Sequence, residues 1–385
     1  MENFDVVVVG GGMIGAASAQ GFAQQGLSVL MLESYQPKAF DTSQAIDLRV
    51  SAISQASVNL LKQLDAWSAI SAMRLCPYQQ LQVWEDPQNK LIFDCAQLDL
   101  PELGFMVENR IIQLGLWQAN EQAGVTRRIV HNSQLQTNTA EGVSLKIDDT
   151  EVFAKLMVVA DGANSSMRQQ LGLGISAWDY RHDCFAINIK LDAPQQTATW
   201  QQFYPSGPRA LLPLAEQHAA LIWYDSKDTI RGLKQLTSNQ LKHRIEAEFP
   251  ALPGDFDILN SASFPLTRRH VNQYVKHRAV VIGDAAHTIN PLAGQGVNLG
   301  YRDVKCLLEQ VEHCGLEELD KALRRFEVRR KPDNLSMQTS MDVFYLMFSN
   351  SLSPLQQLRK LAIKGMQHSG PIKNWTLKYA LGDIG

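Results

Sequence analysis

A chain of 385 residues is long enough to bury a large core and to hold two domains. A net charge of −3 with 19% charged residues excludes bulk electrostatic binding of nucleic acid. Five cysteines (Cys76, Cys95, Cys184, Cys306, Cys314) with no C-x-x-C argue for reduced thiols of a cytoplasmic protein, against a disulfide framework or a metal site. The opening MENFDVVVVGGG carries acids and runs straight into glycines, so it reads as a strand and not as a signal peptide. No apolar stretch reaches bilayer length.

In chain order, residues 4–9 form a short β-branched strand that runs into Gly10-Gly11-Gly12-Met13-Ile14-Gly15. A helix over 16–25 follows, Gly26 stops it, and a second strand over 28–32 ends at Glu33. This is G-x-G-x-x-G in its full βαβ context. Gly10, Gly12 and Gly15 permit the tight turn and the approach of a pyrophosphate, and the acid about 20 residues on takes ribose hydroxyls. The fingerprint marks an ADP-containing cofactor without separating FAD from NAD. Arg49 stands in the next loop, before a helix over 56–64. Residues 76–102 alternate as a hairpin turning at Asp86-Pro87-Gln88-Asn89, and a helix over 108–122 carries Gln113.

The apolar run 156–160 enters Asp161-Gly162, and a helix with Ser166 and Arg168 follows, which makes a second ligand-facing turn. Over 178–265 the texture changes to strands (185–191, 199–204, 210–214, 219–224) with one helix over 240–249. That pattern is an antiparallel sheet distinct from the nucleotide domain, with Phe203, Leu212, Trp223 and Tyr224 as pocket-lining candidates. The stretch around which the chain is organised comes next, GDAAHTINPLAGQGVNLG at 283–300. A buried strand over 279–282 leads into it and a helix over 297–309 leaves it. Gly294 and Gly296 leave room for a ligand, and the helix start offers free N–H groups and a positive dipole end to a group that becomes negative. Asp284 could accept bonds from sugar-like hydroxyls. A helix over 319–330 reads as a solvated basic face, and Met337, Met341, Phe344, Tyr345 and Phe348 form an apolar stripe. From 343 to 382 there is no acid, while Arg359, Lys360, Lys364, Lys373 and Lys378 are basic.

Taken together and in this order, GGGMIG with Glu33, DGANSSMR, and GDAAHTINPLAGQGVN resemble the single-component flavin aromatic hydroxylases, the para-hydroxybenzoate hydroxylase-like group. Asp47-Leu48-Arg49 with Ala52, and Phe264-Pro265-Leu266-Thr267-Arg268-Arg269, are similar to the ubiquinone-biosynthesis branch. WQQF at 200–203, GPRA at 207–210, WYDS at 223–226 and KYALG at 378–382 resemble its members that act on a demethoxy-ubiquinol.

The resemblance implies an α/β fold, a Rossmann-like FAD-binding domain with an inserted, mainly antiparallel β-sheet substrate domain and a C-terminal helical segment. The expected boundaries are 1–75, 103–177 and 271–340 for the FAD domain, 76–102 and 178–270 for the substrate domain, and 341–385 for the C-terminal helices. It implies hydroxylation of a prenylated quinol ring by NAD(P)H and O2 through a flavin C4a-hydroperoxide. By position, Gly10, Gly12, Met13, Ile14 and Gly15 would meet the FAD pyrophosphate and Glu33 the adenosine ribose. Arg49, Gln113 and Asp284 would hold the phosphates and ribityl chain. Asp161 and Gly162 would serve FAD and the approaching nicotinamide. Pro291, Leu292, Gly294, Gln295, Gly296, Val297 and Asn298 would line the flavin ring.

Gly172-Leu173-Gly174 lacks a third glycine, so NAD(P)H is expected as a transient co-substrate without a Rossmann domain of its own. No catalytic proton-transfer residue is assigned. His287 is a candidate acid or base, set against a structural hydrogen-bonding role. The basic C-terminal stretch suggests a peripheral position at the inner face of the membrane, or membership of a ubiquinone-biosynthesis assembly. A hydroxylase of another ring position or of a soluble phenol, and a flavin-dependent prenyl reductase, share the same cofactor motifs and remain alternatives.

Overall fold

The structure, a computed structural model, describes residues 1–289, 296–349, 353–370 and 373–377. Its first sheet grows from the three β-branched runs. Glu2–Val9 lies between Thr150–Val159 and Val29–Glu33, all parallel, and Ala279–Val281 adds beyond Thr150–Val159. Thr126–Ile129 and Val275–Lys276 close the two ends, and Ser133–Asn138 and Val143–Ile147 branch off as a meander. Strands buried on both faces read as continuous Val/Ile/Leu runs, which is why these were legible. The helix Met13–Gln24 packs on Asn109–Gln122 and on Gly296–Cys314. At the second crossing a Cβ on Gly21 would stand 2.2 Å from Leu308 Cδ1, so any larger residue would displace that side chain.

The second sheet also has eight strands, in the order His287–Thr288, Asp255–Val271, Ile175–Asp192, His218–Ser226, Arg209–Pro213, Ala198–Gln202, Gln80–Trp84, Leu91–Asp94. Ile175–Asp192 runs 18 residues, longer than the expected 185–191. Its polar first half does not alternate. It is held by backbone pairing with 264–271 across a register shift at Asp179/Asp183. Lys227–Leu233 and Ser238–Glu248 pack on one face through Ile230, Leu233, Leu241 and Ile245. A third small sheet, Val50–Ser54, Gly104–Glu108 and Cys76–Tyr78, sits between the large ones.

One expectation about the C-terminal third is corrected. The helix expected over 319–330 continues as Leu319–Phe348, through Pro332. The N–H that Pro332 lacks would have met the carbonyl of Val328. Both residues are exposed, so water can satisfy that carbonyl while buried Arg330, Asn334, Met337 and Gln338 hold the inner face. Part of the acid-free basic stretch is buried. Arg359 is buried and binds Glu85 with both Nε (3.0 Å) and Nη2 (2.6 Å), and buried Lys373 lies over the Phe93 ring. Lys364 is exposed, and Lys378 lies outside the described residues. Among the described residues no helix is long and apolar enough to cross a membrane.

Candidate functional site

Glycine chemistry builds the entrance to the first helix. Gly10 has φ +102°, and a Cβ there would meet Ala160 O at 2.5 Å. A Cβ on Gly15 would lie 1.8 Å from Gly10 O, so the helix can start against the loop only with glycine at this position. Gly12 differs from both. Its φ is −68° and a Cβ would meet nothing within 4 Å among the described residues. The space above Gly12 at the open end of the helix is the cradle a pyrophosphate would fill.

The loop is held from below. Gly11 N–H donates to Glu33 Oε2 at 2.8 Å, and Gly11 O accepts from Gln113 Nε2 at 2.9 Å and Trp117 Nε1 at 2.7 Å. Gln113 therefore shapes the glycine loop, and Trp117, which was not singled out in the sequence, shares that work. Glu33 Oε1 accepts from Ser34 N–H and Oγ–H, which leaves part of its four lone-pair sites for a ribose. Arg49 is exposed at the end of a segment pinned on three sides. The buried Arg74–Glu108 pair (2.9 Å) grips it through Asp47 N–H and Gln44 O, Arg110 binds Asp47 at 2.9 Å, and Asn188 of the second sheet reaches Ile46 O at 3.1 Å.

The DGANSSMR turn faces the same region. Gly162 has φ +84° and open space where a Cβ would be. Asp161 Oδ2 accepts from Met167 N–H at 3.2 Å. Its Oδ1 is buried with no hydrogen-bond partner among the described residues. Arg168 is buried and ties this turn to the next motif, donating to Ala285 O at 2.8 Å. A cleft of about 360 Å³ opens beside it, with Asn164, Gln169, Trp178, Asp179 and Arg269 among its walls. A wider recess along Lys321, Arg324 and Arg329 is the open face of one helix and holds no motif residue.

In the third motif, Gly283 takes φ +58° and Asp284 follows it, accessible on one side and crowded by protein on the others. That crowding pushes the Asp284 carboxyl up, and the charges of His287 and Arg49 oppose the shift. Ile14 is wedged here. Cβ atoms on Gly283 and Gly300 would meet its side chain at 3.2 and 2.6 Å, so it packs the first motif against the third. Asn298 is spent on structure. Its Nδ2 donates to Ala52 O at 2.8 Å, and its Oδ1 accepts from Ser54 N–H (3.0 Å) and Ser57 Oγ–H (2.8 Å), fastening the helix start to Val50–Ser54. Gly296 and Val297 open that helix, whereas Pro291, Leu292, Gly294 and Gln295 lie outside the described residues.

His287 is buried with Nε2 2.5 Å from Asp303 Oδ2, inside a polar cluster with Arg330, Asn334 and Tyr274. That placement ties its Nε2 into the structure, and its Nδ1 is buried with no hydrogen-bond partner among the described residues. Arg330, expected on a solvated face, is buried against Asp303. His270, the cross-strand neighbour of His287, hydrogen-bonds Gln338 at 2.8 Å. Burial pushes its imidazole from 6.5 down to about 4, against the opposing effect of Gln338. Between those two values the unfolded chain binds a proton that the folded chain refuses, so stability falls as pH falls through that window. At about 1.4 kcal/mol per pH unit the contribution is on the order of 3 kcal/mol. Urea midpoints measured from pH 7 to 4.5 should fall less in His270→Gln than in the parent, and equal slopes would rule out this assignment.

The four substrate-side candidates separate. Trp223 has no exposed surface and packs with Phe249 on the helix-covered face of the second sheet, under Arg209. It is core and not pocket lining, because neighbours on a strand point to opposite faces. Tyr224 faces the other way, with Tyr180, Leu266, Met341 and Tyr345. Phe203 is sealed by Phe344 and Phe348 of the long helix at ring distances of 5.1 and 4.3 Å. Leu212 is half-buried and joins Ile222, Val50 and Ala52 in an apolar wall that meets the helix start through the Asn298 bond to Ala52.

The glycine cradle, the partly free Glu33 and the orphaned Asp161 oxygen fit FAD, and the apolar wall beside the helix start is a place for a hydrophobic reactant. Such a chain is a flavoprotein monooxygenase. Comparison narrows the class. A model described as an FAD binding domain matches residues 3–318. The 3-demethoxyubiquinol 3-hydroxylase of Escherichia coli (strain K12) is 44% identical over 384 residues, 98% of each chain. The ubiquinone hydroxylase UbiL of Rhodospirillum rubrum is 31% identical over 388 residues, 99% of this chain and 90% of that one. Among solved structures, p-nitrophenol 4-monooxygenase PnpA from Pseudomonas putida DLL-E4 shares the fold, with a TM-score of 0.79 at 19% identity, covering 100% of this chain and 98% of that one. The chain belongs to the FAD-dependent hydroxylases of ubiquinone biosynthesis.

Proposed function

We propose that this enzyme hydroxylates the ring of a prenylated demethoxy-ubiquinol, using NAD(P)H and O2. The observation that carries the choice of ring position is the 44% identity, spread over the whole chain, to a 3-demethoxyubiquinol 3-hydroxylase. The half-buried wall of Val50, Ala52, Leu212 and Ile222 supports an apolar substrate next to the cofactor. FAD supplies the oxygen activation when bound. The chain's own part is to bind, to orient and to keep the reacting ring dry. Mass spectrometry of the quinone pool in a strain lacking this protein tests the position. Accumulation of the demethoxy precursor, reversed by the intact gene, is expected. Accumulation of an earlier prenylphenol would move the position.

For NAD(P)H the same reading uses the cleft beside Asp161 and Gly162. Trp178 is 45% exposed there with the Arg268 guanidinium 4.0 Å over its ring, a flat cationic platform for a nucleotide base. Stacking of a base on an aromatic ring is worth about 1–3 kcal/mol, so Trp178→Ala should raise KM for NAD(P)H by about 10-fold with FAD affinity unchanged. An unchanged KM would place the nicotinamide elsewhere.

Contact with a membrane surface is favoured by Val343, Leu346, Leu361 and Trp375, which are exposed in the C-terminal region. Flotation of the full-length protein with anionic liposomes is expected, and its failure would leave delivery of the prenylated substrate to a protein partner.

A further inference from the structure

We infer that Asp303 is a positioning residue for the cofactor, acting through the Gly283–Asp284 turn. The inference rests on the reading that Asp284 meets FAD. Asp303 has no exposed surface. Its Oδ2 accepts from Gly283 N–H at 3.1 Å and lies 2.5 Å from His287 Nε2. Its Oδ1 accepts from Arg330 Nε at 2.8 Å and Asn334 Nδ2 at 2.9 Å. These four donors fill the acceptor sites of one carboxylate. They come from the turn after the strand Ala279–Val281, from the short strand His287–Thr288 and from the long helix. Asp303 itself stands two turns into the helix whose first residues, Gly296 to Asn298, would line the flavin ring by the family resemblance.

The bond to Gly283 sets where the chain goes after the strand. Gly283 is left-handed at φ +58°, and its peptide aims Asp284. With that N–H tied to a side chain of the following helix, the turn and the helix start move as one body. Ile14, packed against both Gly283 and Gly300, brings the pyrophosphate loop into the same body. The charge is kept in place. Burial alone would raise the Asp303 carboxyl, but His287 and Arg330 hold it well below the usual carboxylate range. Arg330 is steadied in turn by Asp333 at 2.5 Å and by Asn334 Oδ1 at 2.7 Å.

The experiment is a double-mutant cycle on FAD release from the holoenzyme, followed by flavin fluorescence on dilution. Asp303→Asn should weaken FAD binding by about 10- to 100-fold. In the background of Asp284→Asn the same change should weaken it at least 5-fold less, because its effect passes through that residue. Effects that multiply as independent factors would make Asp303 a purely structural acid and overturn the inference, as would unchanged FAD affinity in Asp303→Asn. Asp284→Asn that binds FAD normally would instead remove the cofactor contact at Asp284 itself, and the route with it. Should Asp303→Asn fail to fold, Asn334→Ala removes one donor to Oδ1, together with the acceptor that steadies Arg330, and leaves the Gly283 bond. In the same cycle this change should weaken FAD binding about 3-fold in the parent and leave it unchanged in Asp284→Asn, and an equal weakening in both would overturn the inference.

Discussion

Gly12→Ala should yield a folded protein that binds FAD about 10- to 100-fold more weakly, whereas Gly15→Ala should lose the fold around the loop as well. The two glycines stand three residues apart in one motif, and their surroundings are opposite. At Gly12 the backbone is extended, with φ −68°, and a methyl group meets no atom of the described residues. Alanine there costs the apoprotein nothing and can stabilise it by about 0.4–1 kcal/mol through the unfolded chain. On the proposed reading, what the methyl group would fill is the space for the pyrophosphate, where the backbone must come within hydrogen-bond distance of the ligand. At Gly15 the methyl group would be 1.8 Å from a backbone oxygen that cannot rotate away. Relief needs a shift of the whole loop, at about 3 kcal/mol or more. Thermal melting of the apoproteins, read beside FAD titrations, separates the two. A Gly12→Ala protein with parental FAD affinity would show that the pyrophosphate does not lie over this residue.

That contrast marks the limit of what was legible in the sequence. The G-x-G-x-x-G spacing identifies the loop because turn, cradle and helix start are local and each needs glycine. It does not say which glycine touches the ligand. The long-range part of the site left less trace. Asp303 and Arg330 are 27 residues apart and buried against each other, yet Arg330 lies among five other cations and reads as part of a solvated face. The cost of Pro332 in a helix is local, while the packing that outweighs it comes from the second sheet and the loop after Ala279–Val281. The polar first half of Ile175–Asp192 went unread because its strand character is conferred by its partner and not by its own pattern. One error was avoidable. Trp223 and Tyr224 are adjacent on a strand, and a period of two forbids both from lining one pocket.

The helix that begins at Gly296 invites the sharpest electrostatic test. Gly296→Asp is expected to lose hydroxylation by at least 10-fold, and Gly296→Asn to lose no more than about 3-fold. Sterically the site accepts either. Among the described residues a Cβ on Gly296 would meet only Ile289 Cγ2, at an ordinary 3.6 Å. Stability points the other way from activity. A carboxylate in the first turn of a 19-residue helix favours the helix by about 0.3–1 kcal/mol, so the aspartate variant should melt no lower than the parent. What the carboxylate removes is the positive end of the dipole, which would stabilise charge on a reduced flavin ring. A full charge at roughly 5 Å under an effective dielectric of about 20 is worth about 3 kcal/mol. For a two-electron couple that corresponds to a potential about 60 mV lower. The readouts are the midpoint potential of the bound flavin and substrate-stimulated NAD(P)H oxidation in both variants. A lower potential in the aspartate variant alone, with FAD still bound, assigns the role to the helix end. Equal potentials in the two variants would take the helix out of the chemistry and leave it as a support for the turn that Asp303 holds.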